Sequence, residues 1–136
     1  MNIVVIDAQG GGIGKSIVEQ LKKALPEQKL IAIGTNTIAT AAMMRAGADQ
    51  GATGENAIRV TAAKADIILG PIGLVLCDAM LGEITAVMAC AVGSSPARKI
   101  LIPNNRCQVY IAGNTVPALS DAIADAVKEV IRIVRG

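Results

Sequence analysis

The chain has 136 residues, enough for one domain with a core of its own and too few for two of ordinary size. Its net charge of +2, a single Tyr and the absence of Phe and Trp provide neither a basic footprint for a phosphate backbone nor rings on which bases stack, so no nucleic-acid partner is expected. The absence of His removes the commonest general base and metal ligand, and three cysteines (Cys77, Cys90, Cys107) without C-x-x-C spacing argue against a disulfide framework or a structural metal and fit a reducing cytoplasm.

In chain order, short β-branched runs alternate with longer helical stretches. This is the pattern of an α/β domain spanning residues 1–136, a three-layer, Rossmann-like, doubly wound and mainly parallel sheet of five to six strands. The first strand is read over residues 2–6. It is too short to be a signal peptide or a membrane span and meets Asp7 at once, so no membrane association is expected. A helix over 13–25 buries Ile17, Leu21 and Leu25 at four-residue spacing and stops at Pro26. Strand two covers 30–33, and a helix capped by Thr35 or Asn36 runs to Ala46, with Gly47 as its stop. A short strand over 49–52, a helix over 55–65 and a strand over 67–69, broken by Gly70 and Pro71, come next. A helix over 81–92 with Gly93 just past its end, strands over 99–102 and 108–111, and a final helix over 119–134 complete the chain.

A sheet of this kind is expected in the order 3-2-1-4-5, with its ligand crevice between strands one and four, beyond their carboxyl ends. The rim is then drawn from residues 7–14, 34–36, 70–73 and 103–105. The stretch DAQGGGIGKS lies there, between a strand and a helix. Glycines allow backbone N–H groups close to a phosphate, and the helix N-terminus adds partial positive charge, so the N–H groups of residues 11–14 are expected to hold a phosphate. The cofactor-binding candidates are Asp7, Gln9, Gly10, Gly11, Gly12, Ile13, Gly14, Lys15, Thr35, Asn36, Gly70, Pro71 and Gly73.

No single motif names the ligand. The dinucleotide pattern G-x-G-x-x-G places Lys15 at its third glycine, the short-chain dehydrogenase spacing has Ala8 at its first, and the P-loop spacing has Gln9 at its first. Partner residues are missing as well. Four residues beyond Tyr110 stands Asn114 rather than Lys, strand two ends in Gly34, Thr35 and Asn36 without a ribose-binding acid, and strand four ends in Gly70 without a magnesium-binding Asp. The same glycines also suit a plain tight turn, Lys15 a solvated first-turn position, and Asp7 a cap on the loop's own N–H groups. Glu55, Asn56, Glu83 and Asn104 are candidates for substrate contact. The first three also suit a helix start, and Asn104 a turn.

The stretches VVIDAQGGGIGK, IGTN, AGADQGATGENAI, ADIILGPIG, MLGEIT and KILIPNN cover most of the length. Through them the chain resembles a bacterial family of short Rossmann-like proteins described only as a domain of unknown function. Ala8 stands where that family is expected to have glycine. The resemblance implies a Rossmann-like fold and a cytoplasmic protein and supplies no reaction.

The leading functional reading is a binder of a nucleotide, dinucleotide or other small phosphorylated molecule at the glycine loop. Asp7, Glu83, Lys15, Cys77 and Cys107 are the acid–base groups available should it be an enzyme. A non-catalytic regulatory or scaffold module and a degenerate P-loop binder of ATP or GTP are the alternatives. The nearly all-apolar helix TIATAAMMRAG and the apolar flank of the last helix (Ala122, Ala126, Ile133) lead to an expectation of self-association, as a homodimer or higher homo-oligomer.

Overall fold

The structure, a computed structural model, describes residues 1–103, 108–114 and 118–136. Five strands, β1 (Ile3–Asp7), β2 (Leu30–Gly34), β3 (Gln50–Thr53), β4 (Ile67–Pro71) and β5 (Arg98–Ile102), form one parallel sheet in the order β3-β2-β1-β4-β5. The order reverses between β1 and β4, as expected. Both outer neighbours of β1 pair with it in parallel, so its carboxyl end opens at the centre of the sheet rather than at an edge.

Helices cover both faces because the central strands β1, β2 and β4 are apolar on both. Alternate residues of β1 face opposite ways: Ile3 and Val5 join one core, Val4 and Ile6 the other. The first core is closed by α1 (Gly12–Ala24), α2 (Thr37–Arg45) and α5 (Leu119–Arg135), the second by α3 (Glu55–Lys64), α4 (Ala86–Ser94) and the 3₁₀ turn Ile72–Val75. Ile17 and Leu21 of α1 and Val127 and Val130 of α5 meet in the first core. Ala122 and Ala126, read from the sequence as surplus apolar surface, are buried there as well. Asn36 rather than Thr35 caps α2, its Oδ1 accepting the Ala39 N–H at 2.9 Å.

Two elements differ from expectation. The helix placed over 81–92 begins only at Ala86, behind a Thr85 cap whose hydroxyl accepts the Met88 N–H at 3.1 Å, and Gly93 lies inside it. Residues before it cannot join, because Asp78, Met80, Leu81 and Gly82 all have positive φ. Among the described residues, 108–111 form no strand; β5 is the sheet's edge on that side. No helix among the described residues is long and apolar enough to cross a membrane.

Candidate functional site

At the carboxyl end of β1 the chain makes a tight turn into α1, and most of its N–H groups are already bonded. Asp7, 3% exposed, accepts the Ala8 N–H on Oδ1 at 2.8 Å and the Gly14 N–H on Oδ2 at 2.6 Å. Burial pushes its carboxyl above the ordinary value, although the Gly14 and Ala8 N–H groups pull the other way and the Glu83 charge adds to the rise. The Gly11 N–H donates to the Ala8 carbonyl at 3.0 Å, and the Gln9 N–H donates to Glu83 Oε1 at 2.8 Å.

The remaining N–H groups, those of Gly10, Gly12 and Ile13, have no hydrogen-bond partner among the described residues. The free donors therefore differ from the expected set of residues 11–14, since Gly11 and Gly14 are spent inside the loop. Gly10, Gly12 and Ile13 all line a cleft of about 340 Å³, whose other walls among the described residues are Asp7, Ala8, Gln9, Gly11, Pro71, Met80 and Leu119.

The loop's four glycines divide the same way. A Cβ on Gly11, at φ +75°, would stand 2.9 Å from Ala39 Cα, and one on Gly14 would stand 2.6 Å from Met43 Sδ, so packing of α1 on α2 requires both. A Cβ on Gly10 or Gly12 would meet nothing within 4 Å, and neither has positive φ. The fold itself does not ask for those two glycines.

Glu83 is the second carboxylate at this end. It sits ahead of α4, in the segment joining the 3₁₀ turn to that helix, and its Oε1 gathers three donors. These are the Gln9 N–H, the Thr35 hydroxyl and the Asn36 amide, the last at 2.6 Å. Burial pushes the Glu83 carboxyl up, but the donors of Thr35, Gln9 and Asn36 together outweigh burial and hold it below the ordinary value. Because the donors follow β1 and β2 while Glu83 follows β4, the side chain reaches past β1 to the far side of the crevice.

The remaining sequence candidates separate. Pro71 lines the cleft. Gly70 and Gly73 are buried beside it, and a Cβ on Gly70 would collide with the Ile6 carbonyl, which makes Gly70 a packing residue. Lys15 is exposed on the first turn of α1 and does not line the cleft. Glu55 accepts the Thr85 hydroxyl at 2.7 Å and so ties α3 to the cap of α4, while Asn56 accepts from Arg59 of its own helix at 2.8 Å. Neither lines the cleft. Asn104, with Cys107, lies outside the described residues. Sequence reasoning missed Met80 and Leu119 as cleft residues. Nothing in the local pattern marks them, since both arrive by long-range folding. Among the described residues no group of three or more His, Cys, Asp or Glu side chains stands close enough to hold a metal ion.

Comparison with known families matches residues 2–135 to the family model described as "Domain of unknown function (DUF3842)". No curated protein and no solved structure matches the chain.

Proposed function

We propose, for a chain that belongs to the DUF3842 family, the role of a binding domain for a nucleotide or other small phosphorylated molecule, with the phosphate on the free N–H groups of Gly10, Gly12 and Ile13. The observation that carries this reading is the division inside the loop. Among the described residues three donors are free, the residues that carry them line a cleft, and the two glycines whose Cβ space is empty are two of those three. Backbone donors at the first turn of a helix, next to unfilled space, suit an anion that must approach the main chain closely. The carboxylates favour binding over proton transfer, since both oxygens of Asp7 and Oε1 of Glu83 are committed to donors within the chain. The P-loop alternative has less support, because Lys15 stands away from the cleft.

Gly12→Val tests the reading with little risk to the fold, because its φ suits any residue and its Cβ direction is open. The melting temperature of the native protein is expected to rise with inorganic phosphate or AMP concentration, by mass action on the folded state. The variant is expected to melt near the native temperature without ligand and to lose that rise. An equal rise in both proteins removes the loop from consideration as the site.

A further inference from the structure

We propose that residues 76–84 form a strap latched by Glu83 across the β2 half of the crevice, and that this latch restricts the site to compact ligands carrying their phosphate on the β4 side of the loop, excluding dinucleotides. The proposal rests on the reading of the glycine loop as a phosphate site and adds what that site accepts.

The strap is closed upon itself. Its backbone bonds run from Asp78 N–H to the Ile84 carbonyl at 2.7 Å, from Gly82 N–H to the Asp78 carbonyl at 3.1 Å and from Ile84 N–H to the Ala79 carbonyl at 3.2 Å. Leu74 before it and Ile84 at its end are buried in the second core, which anchors both ends. Between the anchors, Asp78, Met80 and Leu81 hold left-handed φ values of 66°, 58° and 59°, a conformation that side-chain-bearing residues adopt only when surrounding contacts enforce it. Leu81 is fully exposed, so burial of its side chain is not what enforces the turn. Ala79 and Met80 pack against the second core, and the hydrogen bonds that tie this segment to the loops after β1 and β2 are the three that Glu83 accepts.

That position has a consequence for ligand size. In an open doubly wound sheet a dinucleotide lies across the crevice, with one nucleotide beyond the strands on each side of the switch point. Here the space beyond β2 holds the Glu83 carboxylate, and the donors that would face a ligand there, the Thr35 hydroxyl and the Asn36 amide, already serve it. Asn36 cannot turn away, because its Oδ1 caps α2 and its amide also donates to the Gln9 carbonyl at 3.0 Å. A ligand phosphate brought to this side would meet a carboxylate held ionised below its ordinary titration range. What remains open is the cleft of about 340 Å³ between the loop, Pro71, Met80 and Leu119, near the lower end of the roughly 300–1,000 Å³ typical of small-molecule sites. Its walls pair backbone donors with the apolar surfaces of Ile13, Pro71, Met80 and Leu119. They suit one anionic group on a small, weakly polar body.

Calorimetric titration of the native protein and of Glu83→Ala with AMP and with NAD⁺ tests the exclusion, and amide exchange of Gln9 and Gly14 by NMR tests the latch without any ligand. AMP is expected to bind both proteins alike, and NAD⁺ to bind Glu83→Ala at least about tenfold tighter than the native chain, the size of effect expected when a charge-assisted contact blocks a site. The Gln9 amide is expected to exchange faster in the variant, while Gly14, held by Asp7, is unchanged. Glu83→Gln, which keeps the shape and loses the charge, is expected to lie between the two, and it serves in place of Glu83→Ala should the latter not fold. Equal NAD⁺ binding to native and variant proteins overturns the exclusion and leaves the loop as a phosphate site. Failure of AMP, NAD⁺ and inorganic phosphate to bind either protein overturns the loop reading and the exclusion together. Unchanged Gln9 exchange overturns the latch in either case.

Discussion

At the scale of single residues, two carboxylates divide the work at the carboxyl end of β1. Asp7 answers donors inside the turn, and Glu83 answers donors outside it. Their titrations carry opposite signs. Asp7 binds its proton more tightly when folded than when unfolded, so the stability linked to it is fully present below the unfolded value near 3.8 and is lost as pH rises through its higher folded value. Glu83 releases its proton more readily when folded, so its contribution is present above the unfolded value near 4.5 and is lost as pH falls through its lower folded value. Urea midpoints of the native protein, Asp7→Asn and Asp7→Ala across pH 3–7 separate the effects. Asp7→Ala is expected to be the more damaging, because it strands two buried N–H groups at about 1–3 kcal/mol each. Asp7→Asn keeps one acceptor and removes a charge that burial disfavours, so its cost at neutral pH is expected to be smaller, and its profile lacks the limb belonging to Asp7. Equal costs for the two substitutions would show that the carboxylate does not serve those donors.

At the scale of elements, the turn between β1 and α1 is held by packing against α2 as much as by its own hydrogen bonds. Gly11 fits beneath Ala39 in a left-handed conformation, whereas Gly10 faces open space with ordinary φ. Gly11→Ala is therefore expected to cost more than about 1 kcal/mol, from the left-handed backbone and the contact with Ala39 together. Gly10→Ala is expected to be neutral or to stabilise by up to about 1 kcal/mol, since it only reduces the freedom of the unfolded chain. Thermal unfolding of the two single variants checks the pair. The reverse ranking would mean that the loop is held by something other than the fit of α1 on α2.

At the scale of the whole molecule, the question left by composition is what covers the apolar helices. For most of α5 the chain itself does, since Ala122 and Ala126 are buried with Ile123, Val127 and Val130, while Leu119 at its start is 49% exposed. On α2 the answer is partial. Ala39, Ala42 and Met43 are buried, and Ile38 and Met44 remain at 67% and 38% exposure. Ile38 of α2 is the most exposed large apolar residue of these two helices, so the self-association expected from the sequence is tested there. Sedimentation equilibrium of the native chain and of Ile38→Lys at micromolar concentration is expected to show a multiple of 13.9 kDa for the first and a shift toward 13.9 kDa for the second. A mass of 13.9 kDa for both removes self-association, and a multiple unchanged by the substitution moves it to another face.

The architecture was legible in the sequence: the alternation of β-branched runs with longer apolar-periodic stretches, the strand order, the switch point between β1 and β4 and the glycine loop beyond it. The alternation and the loop follow from local patterns, namely side-chain period, caps and glycines, written in neighbouring positions, and the order and switch point follow from the doubly wound fold class that the alternation indicates. Of the two readings the sequence allowed for Asp7, a ligand contact and a cap on the loop, the hydrogen bonds to the Ala8 and Gly14 N–H groups are those of the cap. Only the tertiary structure decided which glycines serve packing and which leave space, because that depends on Ala39 and Met43 from another helix. Only it placed Glu83 on Thr35 and Asn36, 48 and 47 residues away in the chain, where the sequence shows no acid at the end of β2 and a plain helix start at residue 83. The backbone turns left-handed just before Glu83, and no local period announces that. A carboxylate's role is set by the donors it meets, and here those donors are brought together from the loops after β1 and β2 by the order of the strands.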